Sequence, residues 1–344
     1  MPSGTGARLS DLLSGTRRLA LVGLAKNTGK TETLAAILAE HAAAARRVGV
    51  TSIGRDGEEH DVIDARIAKP RVRLAAGDLV ASTGALLRSS GVRHERLQRT
   101  GVRTPLGEVV IARLSEAGIV EIAGPSAAAD VRAVSDAMAK LGAEQVLIDG
   151  AIDRRAASSP AVADGLVIAT GAVLGQDIAQ VVAATADAVD LVKLPLTEAA
   201  TGDGAEERVA LERRLVLSGE PAEIAALLDE HPRARALLVD GALSERFLEG
   251  LLAARPQRAG RELRIVVGDP TKVFLSRRGP DWYRRQGISI EVLQTIDLKA
   301  ITVNPVAPQS HRFESQRMRE LIEEVTGDVP VLDVLDASYL ALAK

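Results

Sequence analysis

The run "RRLALVGLAKNTGKTETLAAILAEHAAAARRVGVTSIG", Arg17 to Gly54, constrains the fold more than any other part of the chain. "LALVG" is a short apolar stretch of the kind buried strands use. A polar turn with glycines at 23 and 29 follows, and Thr31 to Arg46 is rich in Ala and Leu, both strong helix formers. "VGVTSIG" is a second apolar stretch. Two such strands with a helix between them form a βαβ unit, since parallel neighbours require a long crossover.

The alternation continues. "PRVRLAAGDLVAST" and "TPLGEVVIARLSEAGIVEIAG" are β-type, and "GEVVIARL" and "GIVEIAG" flank "SEAG" as a hairpin would. "DVRAVSDAMAKLG" patterns as an amphipathic helix, and "QVLIDG" as a buried strand ending in Asp149. "GLVIATG" is another strand, with a helix from about Gln176 to Ala186 after it and "DLVKLP" as a short strand. Thr197 to Arg208 is polar, contains glycine, and reads as a linker. Beyond it "RRLVLSG", "ARALLVDG", "ELRIVVGD", "ISIEVLQ", "LKAITVNP" and "VPVLDV" read as strands, with helices between most of them.

These patterns predict an α/β fold, a three-layer sandwich on a mostly parallel sheet. The expected organisation is an N-terminal tail at 1–16 and a first domain at 17–200 carrying a β-hairpin insertion. A linker at 201–209 and a second α/β region at 210–344 complete it. "VLIDGAIDRR" and "LLVDGALSER" echo each other, and the echo is read as structural, because many strands end in Asp-Gly.

Composition narrows the function. The chain has 344 residues, no cysteine and a formal net charge of -3. Absence of cysteine excludes disulfides, thiolate-bound zinc, iron–sulfur clusters and a thiol nucleophile. Interspersed acids and only 2% aromatic residues argue against a nucleic-acid surface. "MPSGTGARLSDLLSG" lacks the apolar run of a signal peptide, and no stretch reaches the roughly 18 apolar residues of a membrane span. A soluble cytoplasmic protein, with no membrane partner, is expected.

"GLAKNTGKTET" has the chemistry of a phosphate-binding loop. Glycines admit the backbone angles that aim N–H groups at phosphate oxygens, and the helix that follows adds its positive end. Gly23, Asn27, Thr28, Gly29, Lys30 and Thr31 form the expected nucleotide cradle. In such loops the lysine reaches the β- and γ-phosphates and the next hydroxyl binds magnesium. Thr33 is expected to face the α-phosphate. Asp149, at the end of its strand, is the expected catalytic and magnesium-binding carboxylate beside Lys30 and Thr31. The strand "VGVTSIG" leads into Arg55, Asp56, Glu58 and Glu59. Asp56 is the further acid expected near magnesium, and Arg55 and Glu58 are expected at a substrate or switch region. Arg154 and Arg155 are the other switch candidates, placed to sense a γ-phosphate. His60 has no second histidine at ligand spacing and reads as a surface residue. "TKVF" at Thr271 lacks the aspartate of a guanine-reading motif, which favours ATP, and Asn304 is the candidate adenine contact.

Five residues, not four, separate Gly23 from Gly29. This spacing resembles the loop of dethiobiotin synthetases and the cobyrinate amidase family, in the signal-recognition, MinD and BioD class. Some members carry a second lysine five residues before the loop lysine; Lys26 lies four before Lys30 and is read as a solvated side chain. "GLAKNTGKTET", "TSIGRDGEEHDVID", "TPLGEVVIARL", "IAGPS", "LIDGAIDRRAASSPAVADG" and "ITVNPVAP" together resemble the KamB family. KamB is the phosphate-loop subunit of a reactivase for the cobalamin-dependent lysine aminomutase. The resemblance implies ATP and Mg2+ as cofactors and an aminomutase and a second reactivase subunit as partners. Many proteins of the wider loop class that the chain resembles dimerise across the nucleotide, which makes a homodimer a further expectation. The Asp-x-His-x-x-Gly signature of cobalamin binding is absent, so that cofactor would belong to the partner. The alternatives are a dethiobiotin synthetase-like ligase acting on a small carboxylate and a nucleotide-gated module with negligible turnover.

Overall fold

A computed structural model of the chain describes residues 8–53, 71–151, 157–197, 207–254, 262–308, 311–336 and 339. The chain forms two compact units, one of residues 1–185 with 297–344 and the other of residues 186–296.

The first unit is built on a nine-stranded sheet. From one edge the strands run Val331–Leu332, Asp297–Asn304, Gly165–Gly171, Arg18–Gly23, Gln145–Ala151, Val48–Ser52, Leu79–Thr83, Gly107–Leu114 and His94–Thr104. Pairing is parallel as far as Leu79–Thr83 and antiparallel over the last two strands. Helices lie on both faces. Val48 and Val50 share a core with Leu34, Ile37 and Leu38 of the helix Lys30–Ala43. A Cβ on Gly49 between them would meet Met138 Cε of the helix Ala128–Lys140 at 2.7 Å. Successive strand residues point to opposite faces, so the two helices form separate layers. This is the expected α/β sandwich on a mostly parallel sheet.

One polar cluster ties the two ends of the first unit to that layer. Glu40 accepts from the Ser10 N–H at 2.7 Å and from the Tyr339 hydroxyl, which in turn accepts from the Leu9 N–H.

The second unit has a four-stranded parallel sheet in sequential order, Glu207–Leu211, Ala234–Val239, Leu263–Val267 and Ile288–Val292. Its core joins Leu237, Ile265 and Ile290 to Ile224, Phe247, Leu248 and Tyr283. Glu245 opens the helix Glu245–Ala254 and accepts from Ser276 Oγ and from the backbone N–H groups of Ser276, Arg277 and Arg278.

Four expectations need correction. A division into 17–200 and 210–344 fails, because "LKAITVNP" and "VPVLDV" return to the first sheet and pair with Gly165–Gly171 and with each other. The second unit is therefore an insertion, with its first boundary inside the helix Ile178–Val192. The hairpin partner of Gly107–Leu114 is His94–Thr104, joined through the "PLG" turn, while Gly118–Glu121 pairs with Arg71–Leu74. "DLVKLP" is no strand, since Asp190–Val192 completes a helix. "RRLVLSG" is also helical, Arg213–Ser218, and stops at Gly219 in the left-handed region. Short apolar runs do not distinguish strand from helix by periodicity, and the Gly219 stop is the helix signature there. Among the described residues no helix is long and apolar enough to cross a membrane.

Candidate functional site

The strand Arg18–Gly23 lies between Gly165–Gly171 and Gln145–Ala151, parallel to both. Its following loop therefore opens at the carboxyl edge of three adjacent strands, where open α/β sheets bind ligands.

The loop is held by close approaches. A Cβ on Gly23 would meet Thr28 Oγ1 at 2.7 Å and Ala25 O at 3.2 Å. The buried Thr28 hydroxyl donates to Ala25 O at 3.0 Å, folding the loop on itself. Asn27 has φ 65° and Gly29 φ 87°, both left-handed. Asparagine tolerates that region better than most residues, and glycine has no penalty there. Gly29 caps the helix Lys30–Ala43. Among the described residues the backbone N–H groups of Asn27, Thr28, Gly29, Lys30 and Thr31 have no protein acceptor. Consecutive free N–H groups at a helix start form an anion-binding concavity.

Lys30 and Asp149 form an ion pair beside the loop. Lys30 Nζ donates to Asp149 Oδ1 at 2.5 Å and to Gly150 O at 2.7 Å. Asp149 is buried, at 6% exposure, and a buried carboxylate requires such a partner. A Cβ on Gly150 would meet Ala157 Cβ at 2.6 Å, so the Asp-Gly pair also serves packing. Thr31 and Lys26 are exposed.

Thr33 departs from its expected role. Its side chain is buried, with the hydroxyl donating to Gly29 O at 2.9 Å and sharing a hydrogen with Thr302 Oγ1 at 2.7 Å. It fastens helix to strand and is not offered to a phosphate. Asn304 is likewise engaged. Nδ2 donates to Asn27 O at 3.0 Å and Oδ1 accepts from the Val306 N–H at 3.1 Å.

Arg55, Asp56, Glu58, Glu59 and His60 lie outside the described residues, as do Arg154 and Arg155. The strand leading to the first group, Val48–Ser52, neighbours the Asp149 strand, with Ser52 opposite Asp149. Among the described residues no group of three or more His, Asp or Glu side chains is arranged to hold a metal ion.

Sequence reasoning missed Gly171 and Thr302. A Cβ on Gly171 would come within 3.1 Å of Thr28 Cα and 3.0 Å of Asn304 O. The signal for these residues is their place at or near the ends of buried strands, but it becomes readable only once those strands are known to flank the loop.

Comparison with protein-family models, with curated proteins and with solved structures found no match.

Proposed function

We propose that the chain is a magnesium-dependent ATPase whose Gly23–Thr31 loop binds the phosphates of ATP and whose nucleotide-driven switching acts on a partner protein. The observation that carries this reading is the run of acceptor-free N–H groups from Asn27 to Thr31 at the start of a 14-residue helix, with Lys30 beside it. Phosphate oxygens would take those N–H groups, and the helix end favours their charge.

Lys30 is the moving part of this proposal. Its ammonium is shared between the Asp149 carboxylate and the Gly150 carbonyl. A phosphate in the loop competes for the same hydrogens. With Lys30 turned to it, the Asp149 carboxylate would be without that cation, and Asp149 and Thr31 would be the residues to hold magnesium. An exposed hydroxyl and one carboxylate suit an ion that keeps several of its waters. Bound magnesium would supply charge neutralisation at the β- and γ-oxygens. The chain's own contribution is positioning, through the backbone N–H groups, Lys30 and Asp149.

The partner rests on the resemblance to the KamB family. It points to a cobalamin-dependent lysine aminomutase from which ATP-driven opening would release damaged cofactor. The test is ATP binding by calorimetry and steady-state hydrolysis with and without the mutase. The wild type is expected to bind ATP with magnesium and to hydrolyse it faster when the mutase is present. Lys30→Ala is expected to abolish binding; normal affinity in that variant would remove the phosphate-loop assignment. Turnover that requires a small carboxylate instead of the mutase would replace the switch by a ligase.

A further inference from the structure

We infer that Asn304 is a positioning residue for the phosphate loop, setting the direction of the Thr28 N–H from the end of the strand Asp297–Asn304. The inference rests on the nucleotide reading above and adds a residue that acts on the cradle without touching the phosphates.

One peptide plane links Asn304 to the cradle. Asn304 Nδ2 donates to Asn27 O at 3.0 Å. No peptide bond among the described residues is cis, and in a trans peptide the C=O and the next N–H point in opposite directions. Fixing the Asn27 carbonyl toward Asn304 therefore turns the Thr28 N–H away from it. That N–H is one of the five without a protein acceptor. Asn27 sits at φ 65°, where the backbone is easily lost to a commoner conformation unless something holds it.

Asn304 is itself fixed on several sides. Its Oδ1 accepts from the Val306 N–H at 3.1 Å, which determines which end of the amide donates to the loop. Its Cβ lies 2.9 Å from the position a Cβ on Gly29 would take, and 3.2 Å from that on Gly171. Gly171 is its register partner on the neighbouring strand. Side chains on either glycine would push Asn304 off the loop. The longer G-x5-G-K spacing thus meets its own brace: a left-handed residue turns its carbonyl outward, and Asn304 receives it. Oδ1 and one Nδ2 hydrogen of Asn304 are thus committed within the chain, which leaves the second Nδ2 hydrogen for any contact with a base.

The experiment compares ATP with inorganic tripolyphosphate, which has no base, as ligands of the wild type and of Asn304→Asp. Aspartate keeps the shape, removes the donor and sets an oxygen against Asn27 O. The expected result is a loss of affinity of about tenfold, the worth of one hydrogen bond, and by the same factor for both ligands. A loss for ATP alone would make Asn304 a base contact and overturn the inference. Unchanged binding of both ligands by a folded Asn304→Asp protein would overturn it as well, leaving the phosphate loop intact. Wild-type protein that binds neither ligand would remove the nucleotide reading and the inference with it. Should the variant not fold, the wild type still decides. The Thr28 amide resonance is expected to move downfield on tripolyphosphate titration, as a new acceptor arrives, and a stationary resonance under saturation refutes the inference.

Discussion

Gly29→Ala tests the loop geometry with a steric term that can be isolated. Two penalties act at this position. Alanine in the left-handed region costs about 1–2 kcal/mol, partly offset by about 0.4–1 kcal/mol from the stiffer unfolded chain. The added Cβ would also stand 2.9 Å from Asn304 Cβ, inside van der Waals contact. Relieving such an overlap in a packed site costs about 1–3 kcal/mol. Gly77→Ala isolates the first penalty, because Gly77 has φ 95° and nothing within 4 Å of its Cβ position. The difference between the two variants is therefore the steric term alone. For a unit of this size each kcal/mol moves the melting temperature by about 2–4 °C, so Gly29→Ala should melt roughly 2–12 °C below Gly77→Ala. Scanning calorimetry of both variants, with ATP affinity measured in parallel, reads the result. Gly29→Ala should also lose ATP binding while Gly77→Ala retains it. Equal melting shifts would refute the close packing of loop against strand end, and retained ATP binding would refute the need for a left-handed Gly29.

The other expected outcomes concern neighbouring threonines and one acid. Thr31→Ala should weaken magnesium-dependent hydrolysis and leave the melting temperature nearly unchanged. Thr33→Val should lower stability by about 1–3 kcal/mol, because Thr302 loses its buried hydroxyl partner; denaturant titration and a hydrolysis assay separate the two, and the opposite pattern refutes the assignment. Burial alone would raise the pKa of Glu245, but hydrogen bonds from the Ser276 hydroxyl and from the backbone of Ser276, Arg277 and Arg278 outweigh it and hold the carboxyl low. A carboxylate with a lowered folded pKa stabilises above its unfolded pKa and loses that contribution as pH falls through the folded value. Unit 186–296 should accordingly destabilise on the acid side of the usual glutamate range, and Glu245→Gln should flatten that slope in pH-dependent melting; an unchanged slope would refute the role of Glu245.

Much of the first unit was legible in the chain because its signals are local. "LALVG", the glycines and the Ala- and Leu-rich run define strand, turn and helix within one βαβ unit, and Lys30 and Asp149 follow from residue type and strand end. The insertion was not legible. Strands and helices alternate in both units, so "LKAITVNP" reads as a buried strand without revealing whose sheet it joins. Only hydrogen-bonded neighbours carry that information. Thr33 was misread for a related reason. Its direction depends on the phase of the helix against the strand holding Thr302, a contact between residues 269 apart. The Asn304 contact with the loop was not legible, since which atoms meet depends on the left-handed turn at Asn27.

The return of Asp297–Asn304 to the first sheet has a consequence for the order in which the chain is made. The lysine, the aspartate and the cradle all lie within the first 150 residues, whereas the amide that meets Asn27 is encoded 277 residues after it. During synthesis the entire 186–296 unit emerges before that bond can form. A nascent chain would thus carry the Gly23–Thr31 loop long before it carries the amide that meets it, and the finished loop depends on a strand made after the 186–296 unit as well as on its own residues.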